Sequence, residues 1–146
     1  MLVATAVITV GLLALITGFE YATSGVAVGG GETAAVFLAE QRIEHLRAQA
    51  MRDFSAPALA ATTMTEYCIA GDARGGTSTC QDTPLAGPSY TRSTTITDVS
   101  GGAGCPILPL VCKQLEVRVT YRPVTSAGTL EQRRAVDVVT VLGPRV

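Results

Sequence analysis

From Leu2 to Phe19 every position is apolar, glycine or threonine, so no face of this stretch is set aside for charged side chains. A helix of that length is about 27 Å long, enough to cross a hydrocarbon core. The pattern predicts an apolar membrane or filament-core helix over residues 1–24, presenting Leu2, Val3, Val7, Ile8, Val10, Leu12, Leu13, Leu15, Ile16 and Phe19 to lipid or to neighbouring helices. A cleaved secretory signal is the weaker reading: Ala22, Thr23 and Ser24 are small enough for cleavage, but a signal also needs a basic segment ahead of the apolar run. A buried core helix is weaker still, because a small domain has little protein with which to surround one.

Gly25 and the run Gly29 to Gly31 follow, and each glycine costs about 1 kcal/mol relative to alanine in a helix interior. Residues 25–31 are therefore expected to form a flexible, bendable or locally unwound section of one long helix. Residues 32–55 return to a helical period: Val36, Ala39, Ile43, Leu46, Ala50 and Phe54 recur at spacings of three and four, while Glu40, Glu44, Arg47 and Arg52 lie off that stripe. The stripe should pack on the rest of the protein.

After Phe54 the period falls to two, and residues 56–146 read as an antiparallel sheet domain. Between Leu115 and Arg122, Leu115, Val117, Val119 and Tyr121 alternate with Glu116, Arg118, Thr120 and Arg122, which predicts a strand with one buried and one wet face. Arg134 to Leu142 is a second strand, Tyr90 to Val99 a third and Thr63 to Ala70 a fourth, less marked one. Pro123 to Gly128 supplies a turn that would join the first two as a hairpin. The expected fold class is α+β: a long N-terminal helix, apolar then amphipathic, packed on an antiparallel sheet of three or four strands.

Charge sharpens this division. No Asp, Glu, Lys or Arg precedes Glu20, and from Asp53 onward eight bases balance eight acids, Asp53 included. With a net charge of −1 the chain has no broad field to attract nucleic acid, and the first Lys or Arg is Arg42, so flanking charge does not orient a membrane span. Four cysteines, all beyond the apolar helix, fit an oxidising compartment. They permit three pairings. The local ones, Cys68 with Cys80 and Cys105 with Cys112, are favoured because each would staple a loop with little core, Gly71 to Pro88 and Gly101 to Pro109. Zinc is the weaker use, since neither spacing is that of a zinc knuckle and the single histidine, His45, lies on the distant helix.

Candidate chemistry is sparse. His45 has no evident nucleophile beside it, and Asp72 and Asp82 lack the alternating ligand pattern of a calcium loop. Gly29 to Glu32 follows an apolar helix where a phosphate loop would require a strand. No catalytic, metal or cofactor site is expected, and the chain reads as nonenzymatic. Arg118, Arg122, Arg133 and Arg134 form a candidate basic patch for DNA backbone or an acidic partner, but Glu116, Glu131 and Asp137 lie close and no aromatic platform accompanies them, so a solvated sheet face is the simpler account.

An apolar helix continuing into an amphipathic half, then a cysteine-bearing antiparallel sheet, resembles the type IV pilin-like family of pilins, minor pilins and type II secretion pseudopilins. Met1 to Ile16, MLVATAVITVGLLALI, is similar to the family's N-terminal segment after its conserved glutamate, and FLAEQRIEHLR, Phe37 to Arg47, is similar to the stretch before the sheet. The strands YTRSTTITDV, QLEVRVTYRP and RRAVDVVTVLGP resemble terminal strands of the minor subunits. The family's basic leader, peptidase-site glycine and docking glutamate have no counterpart before Leu2, so the chain is expected to start inside that motif. Their roles pass to no residue here.

The resemblance implies a minor pilin or minor pseudopilin held in the inner membrane by one span, with its sheet domain in the periplasm or outside the cell. Its partners would be other pilin or pseudopilin subunits, the inner-membrane assembly platform and membrane lipid. Gly11, Gly18 and Gly25 would permit close helix approach. The alternative is a membrane-anchored binding module, for DNA or a surface ligand, that does not polymerise.

Overall fold

The computed structural model describes residues 2–69, 78–85, 90–100, 105, 111–125, 128–129 and 132–144. One helix, α1 (Leu2–Arg52), is followed by a 3₁₀ turn (Pro57–Leu59) and seven strands: β1 (Thr62–Ile69), β2 (Thr79–Gln81), β3 (Tyr90–Val99), β4 (Cys112–Tyr121), β5 (Val124–Thr125), β6 (Gly128–Thr129) and β7 (Arg134–Leu142). The main sheet has five antiparallel strands in the order β2-β1-β3-β4-β7, and β5 and β6 form a separate small hairpin. The fold is α+β.

Three differences from the sequence reading have local causes. The sheet has five strands rather than three or four, because β2 is only three residues long and is aligned by Cys68 lying opposite Cys80. A segment so short has no period to read. The link between β4 and β7 contains the β5–β6 hairpin instead of a simple turn. Of the flexible, bendable or locally unwound section read at residues 25–31, the unwound form is not the one adopted: the helix is continuous from Leu2 to Arg52. Helical hydrogen bonding propagates cooperatively from both sides, which offsets the poor propensity of the glycines.

Gly31 has a packing reason. A Cβ placed there would lie 2.9 Å from Cε2 of Tyr121, so this glycine lets the helix come down onto the Tyr121 ring where α1 first meets the sheet. Tyr121 in turn sits 5.6 Å from the ring of Tyr90. Further along, α1 ends at Arg52, short of the boundary read at residue 55; Asp53 accepts hydrogen bonds from the Ser55 amide and hydroxyl, and Pro57 opens the next turn. Those two bonds hold the exposed Asp53 carboxyl below its ordinary pKa.

The core lies between the second half of α1 and one face of the sheet. One cluster joins Ala35, Leu38, Ala39 and Ile43 to Cys68, Val117, Val119 and Tyr121; the other joins Leu46 to Leu59, Ile96, Leu115 and Leu142, with Ala50 and Phe54 against it. No described side chain in the first half of α1 belongs to either cluster. Ile8, Val10, Leu12, Leu13, Leu15, Ile16 and Phe19 keep between 55% and 71% of their surface exposed.

Candidate functional site

The exposed apolar run of α1 is the largest unsatisfied feature of the described residues. It is long and apolar enough to cross a membrane, and none of its most apolar window is buried within the protein. The described leucines, valines and isoleucines of the expected lipid-facing or helix-facing set are all exposed; Leu2, Val3 and Val7 belong to the same helix. Thr17 and Thr23 donate their hydroxyls back to carbonyls three and four residues earlier, so these polar groups are satisfied within the helix and leave its surface apolar. A single N-terminal helix able to span a bilayer, joined to a disulfide-bearing domain, points to an oxidising space outside the cytoplasm.

Of the stripe read on the second half, Ala39, Ile43 and Leu46 are buried against the sheet, whereas Val36, Ala50 and Phe54 are half-buried. Ala35 and Leu38, outside that stripe, are fully buried. The buried face is thus turned toward Ala35 and Leu38, and Phe54 lies beyond the helix, with the Lys113 ammonium 5.6 Å from its ring. Gln41 accepts a hydrogen bond from the Ser78 hydroxyl, tying the segment before β2 to the helix.

A charged lock, absent from the sequence reading, crosses this interface. Arg92 on β3 is 5% exposed; its Nε and Nη2 donate to Glu66 Oε2 at 3.0 and 2.9 Å, and its Nη1 donates to the Leu38 carbonyl at 3.0 Å. Arg42 on α1 approaches the same carboxylate oxygen at 3.7 Å. Burial pulls the Arg92 guanidinium below its usual range while the Glu66 charge pulls it back up. Since arginine starts far above neutrality, it stays charged. The signal was present: Arg92 shares strand parity with Ile96, and so belongs on the buried face.

The register separates one of the four arginines of the candidate patch, Arg134, from the face that carries Arg118. Arg118 and Arg122 are exposed, but Arg134 lies opposite Tyr121 in the register and so belongs to the helix-side face, while Arg133 precedes β7. Arg118 is committed to Asp137, at 2.6 and 3.1 Å, with Glu116 at 3.8 Å. A single alternating period cannot place residues of opposite parity on one face.

The hydrogen bonds from Arg118 hold the Asp137 carboxyl below its ordinary pKa. A carboxylate depressed in the folded state stabilises the fold above its unfolded pKa and loses that contribution as pH falls through the folded one. Arg118→Gln should therefore raise the Asp137 midpoint toward the normal carboxylate range. A side-chain NMR titration reads this directly, and an unmoved midpoint would exclude Arg118 as the cause.

Two disulfides complete the surface. Cys68 and Cys80 join β1 to β2, and Cys105 and Cys112 join the preceding segment to the start of β4. The loops read at Gly71 to Pro88 and Gly101 to Pro109 fall mostly outside the described residues, as does Asp72; Asp82 is exposed. His45 is exposed on α1, and no group of three or more potential metal ligands occurs among the described residues.

Comparisons with protein-family models, curated proteins and solved structures find no match to this chain. Its class therefore rests on its own architecture. It is an α+β protein in which a long N-terminal helix, half exposed and apolar, packs on an antiparallel sheet. That arrangement is consistent with a pilin-like fold.

Proposed function

We propose that this chain is a structural subunit of a membrane-derived filament of the type IV pilin-like class, a minor pilin or minor pseudopilin without enzymatic activity. The observation that carries the reading is the asymmetry of α1: its second half is locked to a sheet, while its first half is apolar all round and has no covering protein among the described residues. Such a segment is stable in lipid, and it is equally stable when neighbouring helices replace lipid, so a subunit can be stored in the bilayer and moved into a filament core. The sheet domain then forms the outer surface.

An aspartate at the centre of a membrane helix costs about 2.5–3.5 kcal/mol on insertion scales, and it would be left unpaired in a helical core. Leu12→Asp should therefore abolish recovery of the chain in sheared filaments while both disulfides still form and the sheet domain stays protease-resistant. Normal assembly of that variant would defeat the reading.

A further inference from the structure

Among the described residues the sheet has two open edges. Along β7 no described strand lies beyond Arg134–Leu142. At the other side β2 covers only Tyr67, Cys68 and Ile69 of β1, leaving Thr62 to Glu66 paired to β3 alone. Long edges are normally blunted by charge, proline or a bulge. Between Arg134 and Leu142, β7 has neither proline nor glycine, its only acidic residue is already bonded to Arg118, and Val139 stands 56% exposed on its outer face.

The directions of these edges are complementary. Successive strands from β1 through β3 and β4 to β7 are antiparallel, so β7 runs opposite to β1. A second copy set beside the first in the same orientation therefore presents its β1 antiparallel to β7. Resting on the filament reading, but with this chain as a repeated subunit in place of a scarce minor one, we propose that neighbouring copies join edge to edge, β7 of one against Thr62 to Glu66 of the next, as a head-to-tail contact that propagates.

One register satisfies both faces. With Glu66 opposite Arg134, the helix-side pairs are Glu66 with Arg134, Met64 with Val136 and Thr62 with Val138; the outer pairs are Thr65 with Ala135, Thr63 with Asp137 and Ala61 with Val139. Opposite charges meet, half-buried apolar residues meet, and exposed Val139 gains an apolar neighbour. Moving by two residues sets Arg134 against Met64 or Glu66 against Val136, and moving by one turns every side chain to the wrong face. The register also brings the start of β7 to the point where β2 begins to cover β1. A two-fold pairing of β7 with itself would point the apolar helices of the two copies in opposite directions, which one membrane cannot hold.

The test uses the full-length chain in membranes of producing cells. All four native cysteines are disulfide-bonded, so introduced thiols report alone. Thr63→Cys with Asp137→Cys in one chain should give a ladder of dimers, trimers and longer species on copper–phenanthroline oxidation. Thr65→Cys with Ala135→Cys, which spares the Arg118–Asp137 pair, should give the same ladder. The off-register pair Thr63→Cys with Ala135→Cys should remain mainly monomer. The two single variants of the first pair, co-expressed, should stop at heterodimers. No ladder from either matched pair overturns the proposal, as do dimers alone from the double variant. Sheared filaments without a ladder would sink this contact and leave the filament reading standing; loss of both in chains with native cysteines otherwise intact would sink both.

Discussion

Replacing Arg92 by alanine is expected to destabilise the protein by about 3–5 kcal/mol, the usual cost of breaking a buried ion pair from one side. The deletion strips Glu66 of its two close hydrogen bonds and the Leu38 carbonyl of one, and it leaves the carboxylate facing only Arg42 at 3.7 Å. A double change, Arg92→Met with Glu66→Leu, should recover part of that loss, because two apolar side chains of similar volume remove the orphaned carboxylate, while Arg42, left without that carboxylate, keeps the recovery short of complete. Thermal or denaturant unfolding of the full chain in detergent, followed by circular dichroism, measures both. If Arg92→Ala melts with the native chain, the charged lock contributes nothing; if the double variant is as unstable as the single one, the loss is a packing defect and not an orphaned charge.

Removing the Cys68–Cys80 bridge is the second large effect. The two cysteines are separated by 12 positions, and closing a loop of that size lowers the entropy of the unfolded chain by an amount worth about 3 kcal/mol. Cys68→Ala with Cys80→Ala should cost roughly that much, somewhat more than Cys105→Ala with Cys112→Ala, whose loop is shorter. The local effect should be sharper than the global one. β2 has only three register pairs with β1, so amide exchange at Tyr67 and Ile69 should rise while the β3–β4 ladder stays protected. Uniform loss of protection across the sheet would mean that the bridge supports the whole fold and not this edge.

Much of the architecture was readable because periodicity is a local property. The strands at Tyr90–Val99 and Arg134–Leu142 have the limits read from the sequence, and Leu115, Val117, Val119 and Tyr121 face the core as their alternation requires. The first strand is offset by one residue, Thr62–Ile69 against Thr63 to Ala70. What periodicity missed was of another kind. β2 has no pattern of its own and exists through its partner strand and a covalent bond. The buried face of α1 includes Ala35 and Leu38, and it meets the sheet where Gly31 leaves room for the Tyr121 ring, a contact between segments far apart in the chain.

The chain's order of residues determined by itself that an uncharged helix would precede an amphipathic one, and that a sheet with one apolar face would follow. Burial of apolar surface and backbone hydrogen bonding act on every residue according to its own side chain and near neighbours, and so leave a record in spacing. Only the tertiary structure decided that Arg92 would be buried against Glu66, that Arg134 would fall on the face opposite Arg118, and that β1 and β7, running in opposite directions, would form edges with no described strand beyond them. Those outcomes depend on register between segments far apart in the chain, which no local pattern encodes.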